Sequence, residues 1–299
     1  MLNIGIIGCG NWSRKVINEI ENHQQFKFNS IVCRDKNKLF IKKKIKIIKS
    51  IDGLINNKSI DCIYVAAIPT INLEVVKLAK LKKIPLIVEK PVSENYTSSI
   101  KMRTIAKENN MVILPNISHI FSENYEHLND LIKSNFTKIK EIKIYEGNNG
   151  PFRNNINPIW DWGFHSFSLL IHLFGYENML NFSSKEIKNK KYPSLGIISR
   201  FNFTILPKIK VKIVNGNLFK KKIRKIKIIL QDNNVILVNL SEQELFFKNK
   251  VVFRNNQTPL KSLLDKFYES IKNNDIELSQ QLLDTSCKTT KILELFYKS

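Results

Sequence analysis

Leu2-Asn3-Ile4-Gly5-Ile6-Ile7-Gly8-Cys9-Gly10-Asn11-Trp12-Ser13 is the stretch that decides the fold. Its first six residues read as a buried strand. The glycines read as a tight turn, and an amphipathic helix is expected over about 12–23. Strand, GxGxx(small), helix is the order of the dinucleotide fingerprint. Gly8 allows the turn. Gly10 lets the backbone approach a pyrophosphate seated on the helix N-terminus, where Asn11 and Trp12 begin the helix. Ser13 takes the third position, which needs a small side chain for helix–strand packing. A tight turn with no ligand would use the same glycines, but the pattern that follows favours the dinucleotide.

Outward from this loop, strand and helix alternate. Strands are expected at 26–33, 45–48, 61–67, 85–89 and 111–115. Helices are expected near 51–57, 71–82 and 97–109, with a short Lys-rich helix after residue 34. Strands joined by short helices imply right-handed crossovers and a parallel sheet. The pattern changes after about residue 117. A helix at 123–134 and an alternating strand, KIKEIKIYE, precede a Gly/Asn/Pro loop (147–158) and a helix over about 160–174. Five alternating segments between 195 and 253 read as a largely antiparallel sheet, and helices near 259–273 and 279–297 close the chain. The expected fold is α/β. A doubly wound Rossmann domain (1–117) is followed by an α+β domain (118–299) with an open sheet.

The 299 residues are 43% hydrophobic, enough for a real core and against bulk disorder. No apolar run reaches the roughly 20 residues of a membrane span, and strand-like sequence from Leu2 leaves no room for a signal peptide. The net charge is +22. Only seven of the 48 basic residues are Arg, however, and nucleic-acid readout favours Arg forks. Lysines on solvated faces account for the charge, and no nucleic-acid partner is expected. Cys9, Cys33, Cys62 and Cys287 are scattered, with no CxxC. That speaks against a disulfide framework or a metal site and for a reducing cytoplasm.

Strand two ends Ile31-Val32-Cys33-Arg34-Asp35. Arg34 at its tip suits the 2′-phosphate of NADP, while Asp35 would suit the ribose of NAD if the strand ends one residue later. Glu89-Lys90-Pro91 ends strand five. Ligands of open parallel sheets lie beyond the carboxyl ends of strands, so Lys90 is placed to hold a substrate oxygen or assist proton transfer. In Trp160-Asp161-Trp162-Gly163-Phe164-His165, Asp161 and His165 are i and i+4 on one expected helix face. A carboxylate beside an imidazole makes a general base, although a helix-capping Asp and a packed His would give the same spacing. His172 reads as packing.

GCGNWSRK, then EKP, then DxGxH resembles the glucose–fructose oxidoreductase / inositol dehydrogenase / MocA (Gfo/Idh/MocA) family over essentially the whole chain. The resemblance implies a hydride-transferring enzyme using NADP, with NAD as the alternative. Its substrate would be a small molecule, a sugar or nucleotide-sugar hydroxyl or carbonyl. Lys90, Asp161 and His165 would line the substrate site beside the nicotinamide, with His165 as proton acceptor. Pro69 and Glu89 would join the cofactor set. His119 (in HIFS), Arg153 (in GPFR), Trp162 and Asn72 would contact substrate. Asn72 stands where many members carry His, and Ser168 where many carry Asp. Members associate through the open sheet, so a dimer or tetramer is expected. A non-catalytic NAD(P)-binding regulator, or a reductase of a non-sugar carbonyl or imine, remains open.

Overall fold

The computed structural model describes residues 1–33, 46–152, 157–189 and 195–297. Arg34, Asp35, the expected Lys-rich helix and Arg153 therefore lie outside the described residues. In chain order the elements begin with β1 (Leu2–Ile7), α1 (Asn11–Glu21), β2 (Phe26–Val32), β3 (Lys46–Ile48) and α2 (Ile51–Ile55). Next come β4 (Cys62–Val65), α3 (Asn72–Ala79), β5 (Leu86–Val88), α4 (Tyr96–Glu108) and β6 (Ile113–Pro115). They are followed by α5 (Glu123–Asn135), β7 (Ile139–Asn149), a π-helical turn at Ile159–Gly163, α6 (Phe164–Phe174), β8 (Met179–Lys188) and β9 (Ile197–Ile205). The last are β10 (Ile209–Gly216), β11 (Leu218–Leu230), β12 (Val235–Asn239), β13 (Glu244–Phe247), β14 (Lys250–Arg254), α7 (Pro259–Lys272) and α8 (Ile276–Tyr297).

The chain divides into two compact units. The first comprises residues 1–118 with 259–291, and the second 119–258 with 292–299. Residues 259–291, read in sequence with the second domain, thus pack in the first unit. Phe267 of α7 stacks on Phe26 with ring centroids 6.0 Å apart, and Ser279 of α8 donates to the Ile113 carbonyl at 2.9 Å.

In the first unit six strands lie in the order β3-β2-β1-β4-β5-β6, and every pairing is parallel. Strands β4, β5 and β6 are short and buried throughout, as helices on both sides of a parallel sheet require, while the edge strand β3 is exposed to half-buried. Strand order reverses direction at β1, which places the topological switch, and so the ligand crevice, at the end of β1. Local signals start the helices. Ser50 accepts from the Gly53 N–H at 3.0 Å ahead of α2, and Asn95 from the Ser98 N–H at 2.7 Å ahead of α4.

One expectation fails here. Cys9 and Cys33 form a disulfide. Scattered spacing concealed it, because β1 and β2 pair in parallel and their carboxyl ends, 24 residues apart in sequence, are neighbours in space.

The second unit is built on an eight-stranded sheet, β14-β13-β12-β11-β7-β10-β9-β8, antiparallel except for β7 with β10. The lysine-rich β11 alternates as expected. Ile226, Ile228 and Leu230 are buried while Lys225 and Lys227 are exposed. Strands β8 and β14 were not anticipated. Both are edge strands, and most of their side chains meet solvent, so they carry little apolar alternation.

Candidate active site

In the first unit the chemistry gathers at the carboxyl ends of β1, β4, β5 and β6. Gly8 has φ of +108°, and a Cβ there would lie 2.3 Å from the Ala66 carbonyl oxygen. Only glycine fits that approach of loop to strand end. Gly10 differs: a Cβ would meet nothing within 4 Å. It stands at the N-cap of α1, where no side chain caps the first turn. The helix amides and the open space beside Gly10 fit a pyrophosphate, so the residues present suit a dinucleotide. Ser13 is fully buried, as the packing position requires. Asn11 is exposed, and the Cys9–Cys33 disulfide ties the loop to the end of β2.

Glu89 anchors this end of the sheet. It is buried, and its Oε1 accepts from the Tyr64 hydroxyl at 2.5 Å, from Asn116 Nδ2 at 2.7 Å and from the Trp12 indole N–H. These donors come from β4, from just after β6 and from α1. Burial pushes the Glu89 carboxyl up. Tyr64, Asn116, the Lys90 charge and Trp12 oppose the rise without cancelling it. Burial beside this carboxylate lifts the Tyr64 hydroxyl well above its ordinary value, so it stays a donor. Lys90 follows, half-buried, before a cis bond to Pro91. Asn72 is fully buried. Its Nδ2 donates to the carbonyls of Val92 (3.0 Å) and Glu89 (3.4 Å), so it braces the turn that carries Lys90. Pro69 opens a 3-10 turn, Pro69–Ile71, that leads into α3.

In the second unit the expected helix start is a π turn, and the buried Trp162 lies on it. A π turn closes its hydrogen bonds over five residues rather than four, so the α-helical stacking assumed for Asp161 and His165 does not carry over. Asp161 is half-buried and His165 is buried at the first turn of α6. The ring of His119 packs on that of His165 with centroids 4.7 Å apart. His119 Nε2 lies 3.1 Å from Glu146 Oε1, and the Ser166 hydroxyl donates to Glu146 Oε2 at 3.2 Å. Arg224 Nε lies 3.4 Å from Glu146 Oε1, and its guanidinium covers the Trp162 ring at 5.5 Å. Burial raises the Glu146 carboxyl, but His119, Arg224 and Ser166 together outweigh it and hold the group below its ordinary value. His172 packs beside Tyr125, and burial lowers its pKa, in line with a packing role.

Each unit thus assembles part of the expected set. Lys90, Glu89, Trp12, Gly8, Gly10 and Asn72 belong to one cluster, and His165, His119 and Trp162 to the other. Tyr64, Asn116, Glu146, Ser166 and Arg224 were missed. Glu146 did leave a signal. In KIKEIKIYE it falls on the parity of Ile142 and Ile144, an acid on the apolar face of a strand.

A family model described as "Oxidoreductase family, NAD-binding Rossmann fold", that of Gfo/Idh/MocA, matches residues 2–117. Residues 2–117 are thus similar to the NAD-binding Rossmann part of that family. No curated protein sequence matches this chain. Solved structures share the fold along nearly the whole length. A UDP-N-acetylglucosamine 3-dehydrogenase from Acidithiobacillus ferrooxidans superposes with a TM-score of 0.79 at 13% identity, covering 99% of this chain and 98% of that one. A variant of a 3-ketoreductase from Actinomadura kijaniata, in complex with TDP-benzene and NADP, gives 0.80 at 9% identity, covering 98% and 96%. A biliverdin reductase from Synechocystis sp. PCC 6803, in complex with biliverdin and NADP+, gives 0.70 at 14% identity, covering 95% and 96%. At such identities the likeness fixes the fold of this chain, not its activity or substrate. Among the described residues no helix is long and apolar enough to cross a membrane.

Proposed function

We propose that this chain is an NADP-preferring dehydrogenase or reductase that acts on a hydroxyl or carbonyl carbon of a sugar or nucleotide-sugar. The observation that carries the reading is the open Gly10 cradle, coupled through Trp12 to Glu89 and hence to Lys90. The bound nicotinamide accepts or supplies the hydride. Lys90 polarises the substrate oxygen. His165 takes the hydroxyl proton in the alcohol-to-ketone direction and returns it in reverse, and Asp161 orients His165 or holds a neighbouring hydroxyl.

Arg34 binds the 2′-phosphate, with Asp35 as the NAD alternative. His119, Trp162 and Arg153 serve the substrate, Arg153 through an anionic group. Asn72 serves it indirectly, through the turn it braces. In this scheme the unit of residues 1–118 and 259–291 carries the cofactor, and that of 119–258 and 292–299 the substrate and the contacts of a homo-oligomer. The dehydrogenase and 3-ketoreductase neighbours support the sugar class. A second reading is reduction of a non-sugar carbonyl or imine, and the biliverdin reductase neighbour supports only that this fold can serve a non-sugar substrate.

The test is turnover of a panel of nucleotide-sugars, free sugars and bilins with NADPH and NADP, beside dinucleotide affinity. Turnover of a nucleotide-sugar or free sugar carries the first reading, and turnover of a bilin alone points to a non-sugar substrate instead. Tight dinucleotide binding with no turnover of any member revives the non-catalytic regulator.

A further inference from the structure

One rung of the second sheet interrupts its apolar inner face. Along β10, β7 and β11 that face is Val211 and Ile213, Ile142 and Ile144, Ile226 and Ile228, all buried. At the next rung Ser199, Asn215, Glu146 and Arg224 stand abreast in register across β9, β10, β7 and β11. Glu146 is at the centre of that row and only 1% exposed. An apolar residue there would continue the core without desolvating a charge, and a buried ion pair is a poor way to gain stability. The rung is spent instead on the two histidines. Glu146 meets His119 through Oε1 and Ser166 through Oε2, and Ser166 directly follows His165 in α6.

We propose that Glu146 is a positioning residue for proton transfer: its carboxylate fixes His119 as the Nε2–H tautomer and holds that ring against His165. The inference rests on the oxidoreductase reading above, in which His165 handles the proton. In the alcohol-to-ketone direction the carbon–hydrogen bond breaks and its hydrogen leaves with the electron pair to the nicotinamide. The O–H bond breaks and its proton goes to His165 as the C=O bond forms.

Glu146 acts on that step through His119. An ionised carboxylate only accepts, so the facing Nε2 must carry the hydrogen and Nδ1 is left as an acceptor. Arg224 Nε at 3.4 Å and the Ser166 hydroxyl at 3.2 Å favour the ionised carboxylate whatever the state of His119.

Histidine-labelled protein saturated with NADPH tests this by nitrogen NMR, with His119→Gln used to assign the resonance. The expected result is His119 as the Nε2–H tautomer in the wild type and loss of that state in Glu146→Gln, whose amide can donate to Nε2. Where the panel yields a substrate, Glu146→Gln should lower kcat about a hundredfold and leave KM and NADPH affinity within about threefold. Wild-type His119 in the Nδ1–H tautomer overturns the proposal, and so does an unchanged kcat in Glu146→Gln. The wild-type spectrum decides the matter even where Glu146→Gln fails to fold. A wild type that turns over no member of the panel overturns the oxidoreductase reading and with it the proton-transfer role, whereas the wrong tautomer with turnover intact overturns the role of Glu146 alone.

Discussion

Trp12 donates its indole N–H to Glu89, so the first turn after the Gly-rich loop is tied to the residue that precedes Lys90. Anything that moves the loop therefore reaches the Glu89–Lys90 turn. Trp12→Phe keeps an aromatic side chain and removes the donor, while Tyr64 and Asn116 still hold Glu89. The expected cost is about 1 kcal/mol of stability, read as a lower denaturant midpoint, with weaker NADPH binding beside it. An unchanged affinity would show that the loop and the Glu89 turn are not coupled in binding.

Gly8 and Gly10 should fail differently. Gly8→Ala puts a Cβ 2.3 Å from a backbone oxygen at a φ of +108°. It should cost about 2 kcal/mol or more of stability. Gly10→Ala meets nothing within 4 Å. It should leave stability within about 0.5 kcal/mol and weaken dinucleotide binding about tenfold or more. Denaturant melts and calorimetric titration with NADPH separate the two. Equal effects on both readouts would contradict the assignment of Gly10 to the cofactor.

The disulfide closes a loop of 24 residues between Cys9 and Cys33. Chain-entropy reasoning puts its worth at about 3 kcal/mol. Cys9→Ser and Cys33→Ser should each lower the unfolding free energy of non-reduced protein by about that amount, and neither should respond further to dithiothreitol. A wild-type midpoint indifferent to reductant would show that the bond does not persist in solution.

The two buried carboxylates should give opposite pH slopes. Glu146 lies below its ordinary value of 4.5. Its contribution is therefore fully present above pH 4.5 and is lost as the pH falls through its folded value. Glu89 lies above 4.5. Its burial therefore costs stability progressively as the pH rises from 4.5 through its folded value. Unfolding free energies of Glu146→Gln and Glu89→Gln against wild type from pH 3 to 8 should show difference curves of opposite sign. Curves of the same sign would contradict the assigned directions.

The Rossmann half was legible because its signals are local. A strand, two glycines and a helix sit within twelve residues, and each later strand is a short apolar run. Glu89 and Lys90 were legible from their place at a strand end. The partners of Glu89 were not, since Tyr64 reads as one more apolar strand residue until β4 is set beside β5. The Cys9–Cys33 bond needed the same knowledge of strand neighbours. In the second unit His119 and His165 were named, but their connection through Glu146 and Ser166 depends on β7 lying against α6, which no spacing in the chain reveals. The π turn was hidden as well, since Trp160 to His165 fits an α-helix by composition.

Arg34 supplies a further prediction from sequence. Wild type should bind NADPH more tightly than NADH, and Arg34→Ala should narrow the gap by about tenfold. An unaltered preference moves the ribose contact to Asp35.

The most direct measurement is turnover of Lys90→Ala and His165→Ala on a substrate from the panel, followed by nicotinamide absorbance, with NADPH affinity measured on the same preparations. Both variants should lose about a hundredfold or more in kcat and keep dinucleotide affinity within about threefold of wild type. Full turnover in both variants would contradict the account.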